Sequence, residues 1–225
     1  MKFSRLMGVA IAGLLLVAGA AEAQKKSYRS RTVESSFLMK FQDNARLEYE
    51  GGTWIDIDDD YGWGFRFGFN YTENLSLGFQ FDWLSSPYTA YLAPAEDTTE
   101  GRTIRHKLDM WSGTVKGVYH FFPSRFTPFI EGGLGWATID SNVASSPPIT
   151  GCYWHPWWGL ICDRYQSSYT DTSFSYELGA GLRFEATNNS FVRASISRRW
   201  IDADFATNSP AFYTAQIEIG AMIWD

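Results

Sequence analysis

Residues 61–83 read YGWGFRFGFNYTENLSLGFQFDW. Tyr61, Trp63, Phe65, Phe67, Phe69 and Tyr71 take the odd positions, while Gly62, Gly64, Arg66, Gly68 and Asn70 take the even ones. A strict period of two puts alternate residues on opposite faces of a strand, here one greasy and one small or polar. The pattern then repeats. Leu75, Leu77, Phe79, Phe81 and Trp83 share one face, and Ser76, Gly78, Gln80 and Asp82 the other, after the tight polar turn Thr72-Glu73-Asn74.

The same alternation continues outward from this hairpin. It recurs at 108–122, 128–140, 174–185, 191–201 and 212–224. A weaker first strand covers 37–47, where Asp43 falls on the greasy face and predicts a bulge or a shorter strand. That makes eight strands. Connections 72–74, 123–127 and 187–190 are short, whereas 48–60, 85–106, 141–172 and 202–211 are long, and the two kinds alternate. Short turns at one end and long loops at the other are the layout of an up-and-down transmembrane barrel with both termini on the short-turn side.

The polar faces decide between a soluble and a membrane barrel. They carry Arg66, Lys116, Arg183, Arg193 and Arg199, and also Asp82, Glu131, Glu177, Glu185 and Glu218. A soluble barrel would turn its apolar face inward and leave these charges outside. Embedding reverses this: lipid takes the aromatic face, and closure pairs every backbone group. The charges then fill the lumen, where they must pair to offset their desolvation. Eight strands leave just enough room for side chains, so a plugged barrel is favoured over a narrow polar channel. Tyr71, Tyr119, Phe121 and Phe126 fall near one rim, and Trp63, Trp83, Trp111 and Trp200 near the other, as interfacial girdles do.

The ends and the composition agree with export. Lys2 and Arg5, an apolar run from Leu6 to Ala20, and Ala21-Glu22-Ala23 have the three-part layout of a secretory signal. We expect a signal peptide at 1–23 with cleavage before Gln24, a basic polar segment at 24–35, and the barrel at 36–225. Aromatics make up 17% of the chain, and the net charge of -6 argues against nucleic acid as a partner. Cys152 and Cys162 are sparse and close in sequence, which in an exported chain points to one local disulfide.

Two stretches carry a family resemblance: Phe69-Asn70-Tyr71-Thr72-Glu73-Asn74-Leu75-Ser76-Leu77, and Tyr119 through Trp136 with its Phe121-Phe122-Pro123-Ser124-Arg125-Phe126 turn. Both are similar to strand-turn-strand signatures of the OmpA-like and OmpW-like outer-membrane β-barrel proteins. The resemblance spans roughly 36–225 and implies an all-β, eight-stranded antiparallel barrel in the bacterial outer membrane. Its OmpW-like side implies transport of small hydrophobic solutes. Such barrels usually end on an aromatic residue, whereas this chain ends Ile223-Trp224-Asp225.

Little in the sequence points to catalysis. His106, His120 and His155 show no nucleophile-base-acid spacing, so we expect no enzyme and no cofactor. Asp56, Asp58, Asp59 and Asp60 loosely resemble a calcium loop, but Gly62 is one position late and Phe67 stands where a bidentate Glu belongs. They rank only as weak metal candidates. The segment 152–162 is the most unusual. Tyr153, Trp154, Trp157 and Trp158 lie between the two cysteines, and stiff exposed aromatics mark contact sites. The expected partners are outer-membrane lipid and lipopolysaccharide, with a hydrophobic ligand or surface partner beside them. A structural or surface-interaction barrel and a small porin or hydrophobic-solute transporter both remain open.

Overall fold

The computed structural model describes residues 27–48, 52–94, 101–144, 149–165, 168–202 and 211–224. Eight antiparallel strands form a ring: β1 (Thr32–Gln42), β4 (Asp60–Asn70), β5 (Leu75–Leu92), β6 (Arg102–His120), β7 (Phe126–Ala144), β10 (Ser168–Glu185), β11 (Ser190–Asp202) and β12 (Ala211–Trp224). Each pairs with the next, and β1 closes the circuit by pairing with both β4 and β12. Two short strands, β2 (Ala45–Glu48) and β3 (Trp54–Ile57), add to the outer part of β5. A separate hairpin joins β8 (Ile149–His155) and β9 (Gly159–Tyr165).

The wall is inside-out over most of its height. Outward residues such as Phe67, Leu77, Leu134, Leu178 and Ile219 are exposed, while Arg66, Gln80, Glu131, Glu177 and Glu218 are buried. Toward the long-loop end the polarity inverts. On β5 the inward residue is Asp82 at one level and Leu84 at the next; on β6 the step runs from Ser112 to Met110, on β11 from Arg199 to Ile201, and on β12 from Thr214 to Phe212. Above the step the inward residues form an apolar core of Leu47, Ile57, Leu84, Tyr88, Leu108, Met110, Ile201 and Phe212. Outward residues of β5 and β6 there, Thr89, Arg105 and Lys107 among them, are mostly polar, as water replaces lipid on the outside. Trp63, Trp83 and Trp111 mark the boundary: Trp63 and Trp83 rings lie 4.6 Å apart, and Trp83 is opposite Trp111 in register.

This inversion corrects the strand lengths. The segments 48–60, 85–106 and 141–172, expected as long loops, contain the outer ends of β5, β6, β7 and β10 as well as β3, β8 and β9. An apolar-outward rule cannot follow a strand past the level where outside becomes water. The first strand is also corrected. It occupies 32–42 rather than 37–47, and opens inside the segment 24–35. Asp43 and Asn44 interrupt it and reverse the phase, so Leu47 points into the apolar core instead of facing out. The expected export signal at 1–23 lies outside the described residues.

Candidate functional site

The lumen is filled by one alternating series of charged side chains. It starts at Arg29, which lies 3.1 Å from Glu185, and Glu185 lies 3.4 Å from Arg183. Arg183 reaches Glu34 at 2.6 Å, and Glu34 also binds Arg193. Arg193 and Arg66 both stand 3.5 Å from Glu218. Arg66 continues to Glu131 at 3.3 Å, and Glu131 to Lys116 at 3.6 Å. Lys116 binds Glu177, which lies 2.9 Å from Arg199. The series ends at Asp82, 3.2 Å from Arg199 and 2.6 Å from Lys40. All these side chains are buried. Each inner member touches neighbours of opposite sign, which offsets the desolvation of a charge taken from water. Strand alternation supplies the arrangement, since every second residue of every strand must point at the axis.

The structure brings together all ten lumen residues named from sequence, and adds Lys40, Glu34 and Arg29. Lys40 stood on a polar face in the sequence. Glu34 and Arg29 lay in the 24–35 segment, where no greasy face is visible because Val33 stands alone among Thr32, Glu34, Ser35 and Ser36. Arg29 closes the short-turn end. Its guanidinium donates to the carbonyls of Glu73, Phe122 (2.6 Å) and Ser124 (3.2 Å), in two different turns. Burial pushes this guanidinium down to about 10; Arg183 adds to the effect and Glu185 opposes it. His120 is buried beside Phe129, ring centroids 5.7 Å apart, and neither ring nitrogen has a hydrogen-bond partner among the described residues. His106 stands at the opposite end of the same strand.

At the other end the apolar core encloses a cavity of about 360 Å³ lined by Leu47, Ile55, Tyr88, Leu108, Ile139 and Tyr169 among others. None of the charged series lines it; the apolar layer of Leu84, Met110, Ile201 and Phe212 follows Asp82 and Arg199 toward the outer end.

Outside the ring, β8 and β9 pair with Cys152 opposite Cys162, and Trp154 opposite Leu160. Trp154, Trp157 and Trp158 are 74%, 85% and 76% exposed. Tyr153 lies opposite Ile161 in register. The acidic loop does not converge. Asp56 lies 3.6 Å from Arg46, and the Asp60 carboxylate accepts from the Tyr61 N–H at 2.7 Å. Among the described residues no three His, Cys, Asp or Glu side chains are grouped to hold a metal ion.

An eight-stranded ring with an apolar belt, aromatic girdles and a charged interior defines a membrane-spanning β-barrel of the outer-membrane type. Residues 9–222 match the outer membrane protein beta-barrel domain family, and the chain belongs to that family. This places it in the bacterial outer membrane. Among solved structures it is similar to the outer membrane protein OprG from Pseudomonas aeruginosa, with 10% identity and a TM-score of 0.54 over 90% of this chain and 100% of that one. It is also similar to the N-terminal β-barrel domain of Pseudomonas aeruginosa OprF (15% identity, TM-score 0.45, 86% and 98% covered). A third similar structure is Neisserial surface protein A (14%, 0.45, 84% and 97%). The likeness to OprG shows a shared fold and nothing of function. No curated protein matches the chain.

Proposed function

We propose that this protein is a closed, non-enzymatic barrel that uses the β8–β9 hairpin as its contact point at the cell surface. The observation that carries this reading is the exposure of Trp154, Trp157 and Trp158 on a two-stranded tip. Large aromatic rings held out in water on a short hairpin favour burial against a partner. In this reading Cys152 and Cys162 form a disulfide that stiffens the tip, for which their directly opposed register is suitable. Residues 1–23 act as the export signal, cleaved before Gln24. The test is adhesion of the protein in nanodiscs to cultured-cell surfaces and to lipopolysaccharide-coated surfaces. Changing Trp154, Trp157 and Trp158 to Ser is expected to weaken adhesion at least about tenfold, while the folded barrel keeps its boiling-dependent gel shift. Undiminished adhesion of that variant would sink the reading.

A second reading is supported by the outer cavity, whose lining is mostly apolar. It is transport of small hydrophobic solutes that enter at the outer mouth and leave sideways, because the charged series lower in the lumen bars the axial route. Proteoliposomes loaded with a fluorescent alkane probe test it. Uptake above that of protein-free vesicles favours transport; equal uptake retires it.

A further inference from the structure

The charged series in the lumen does not balance. It begins at Arg29 and ends at Lys40, a cation at each end, so among the described residues seven buried cations alternate with six buried carboxylates. The surplus is one positive charge, held where an uncompensated ion is costly. Donors without acceptors locate it. Arg183 on β10 stands directly opposite Arg193 on β11, and both are buried. Like charges in such a cross-strand pair repel. Both guanidiniums lie against one ring, 4.2 and 4.7 Å from the centre of Phe191. Arg183 Nη1 and Arg193 Nε have no hydrogen-bond partner among the described residues, and the same holds for both ring nitrogens of His120 and the hydroxyl of Ser76. Ser76 lies opposite Val118, and so diagonally across from His120 on β6. The charges that act most on the His120 ring are those of Arg183 and Arg193.

The carboxylates at this level are already engaged. One oxygen of Glu34 takes Arg183 and the Asn70 amide (2.7 Å), and the other takes Arg193. Glu185 accepts from Ser27 at 2.7 Å and from Arg29 at 3.1 Å. Glu218 accepts from Gln216 at 2.7 Å and from Ser36 at 3.1 Å. Arg183 Nη2 turns partly to a thioether, donating to Met222 Sδ at 3.1 Å. A water molecule would accept some of the remaining hydrogens and leave the surplus charge in place. An anion removes both deficits at once, because it accepts from N–H and O–H donors and carries the missing charge. An eight-stranded lumen packed with its own side chains admits only a small ion, and a surplus of one calls for a monovalent one.

We propose that the lumen binds one small monovalent anion, chloride or a similar halide, between Arg183, Arg193 and His120. The test uses the full-length protein folded in detergent micelles and dialysed against isotopically labelled chloride, with sodium gluconate holding the ionic strength constant. The folded barrel is expected to retain about one chloride, the difference between its seven buried cations and six buried carboxylates, and the urea-unfolded chain none. The urea midpoint is expected to rise with chloride and not with gluconate. Chloride at about 100 times the dissociation constant found by dialysis should multiply the folded-to-unfolded ratio about a hundredfold. His120→Glu supplies a seventh carboxylate from within the chain. It is expected to retain no chloride, and to reach in gluconate the midpoint that the unaltered protein reaches in chloride. Arg193→Met removes the surplus from the other side, while Glu34 keeps Arg183 and Glu218 keeps Arg66. It too is expected to lose the ion. Each variant is read only where it shows the boiling-dependent gel shift of a folded barrel, and the unaltered protein decides the matter alone if neither does. No chloride on the folded unaltered protein, equal chloride on a folded variant, or a midpoint that rises equally in gluconate and chloride would each overturn the assignment.

Discussion

Asp82 stands where donors from three other strands meet. Its carboxylate accepts from Lys40 of β1 at 2.6 Å, from Arg199 of β11 at 3.2 Å, and from Ser112 of β6. Gly64 on β4 lies directly opposite; a Cβ there would come 2.8 Å from the Asp82 Cα, so only glycine lets the strands approach this closely. Replacing Asp82 with Ala strands two buried cations against one remaining anion, Glu177. We expect a loss of about 3–5 kcal/mol in urea unfolding of the micelle-embedded barrel. The partner set was not legible in the sequence. Alternation says that Asp82 points inward, but its partners are distant in the chain and meet it only through ring closure and strand stagger.

At the scale of elements, the break between β1 and β2 decides how the outer end is built. Burial lifts the Asp43 carboxyl above its usual range; a backbone hydrogen bond from Tyr213 opposes this, and the nearby Asp59 charge assists it. A carboxyl raised by folding favours the native state while protonated, and that advantage is lost as pH rises through the raised value. Asp43→Asn is therefore expected to raise the urea midpoint at pH of about 7, with the gain shrinking as pH falls through the raised value and gone below a pH of about 3.8, where the free carboxyl also protonates. An equal gain at both pH values would contradict this account. The lead-in to β1 holds the other end. Arg29 ties two turns and the end of β10 together, so Arg29→Ala is expected to release residues 27–31. Their amide exchange should speed up while that of β4 and β5 stays slow. The Asp43 interruption was legible as an irregularity, but its effect on phase was not, because Ala45 and Leu47 suit either face. Arg29 was hidden, since a lone Arg in a polar segment gives no periodic signal.

Across the whole molecule, strand number and direction were legible because two separate features agree, the period of two and the alternation of loop lengths. The ring of eight strands follows both. The outer tier was not legible. Its inward residues are apolar and its outward ones polar, the reverse of the tier below, and in one strand the two signs of alternation read as a strand followed by a loop. The hairpin β8–β9 stood out by composition, although its strand pairing did not.

That same alternation also governs how such a chain travels. A protein bound for the outer membrane must first cross the inner one, where a long apolar helix would stop it. Here most lipid-facing rings are followed by a glycine or a polar residue, and no described helix is long and apolar enough to span a bilayer. The greasy surface exists only once strands stand side by side, so the unfolded chain carries its membrane affinity in a form the first membrane does not read.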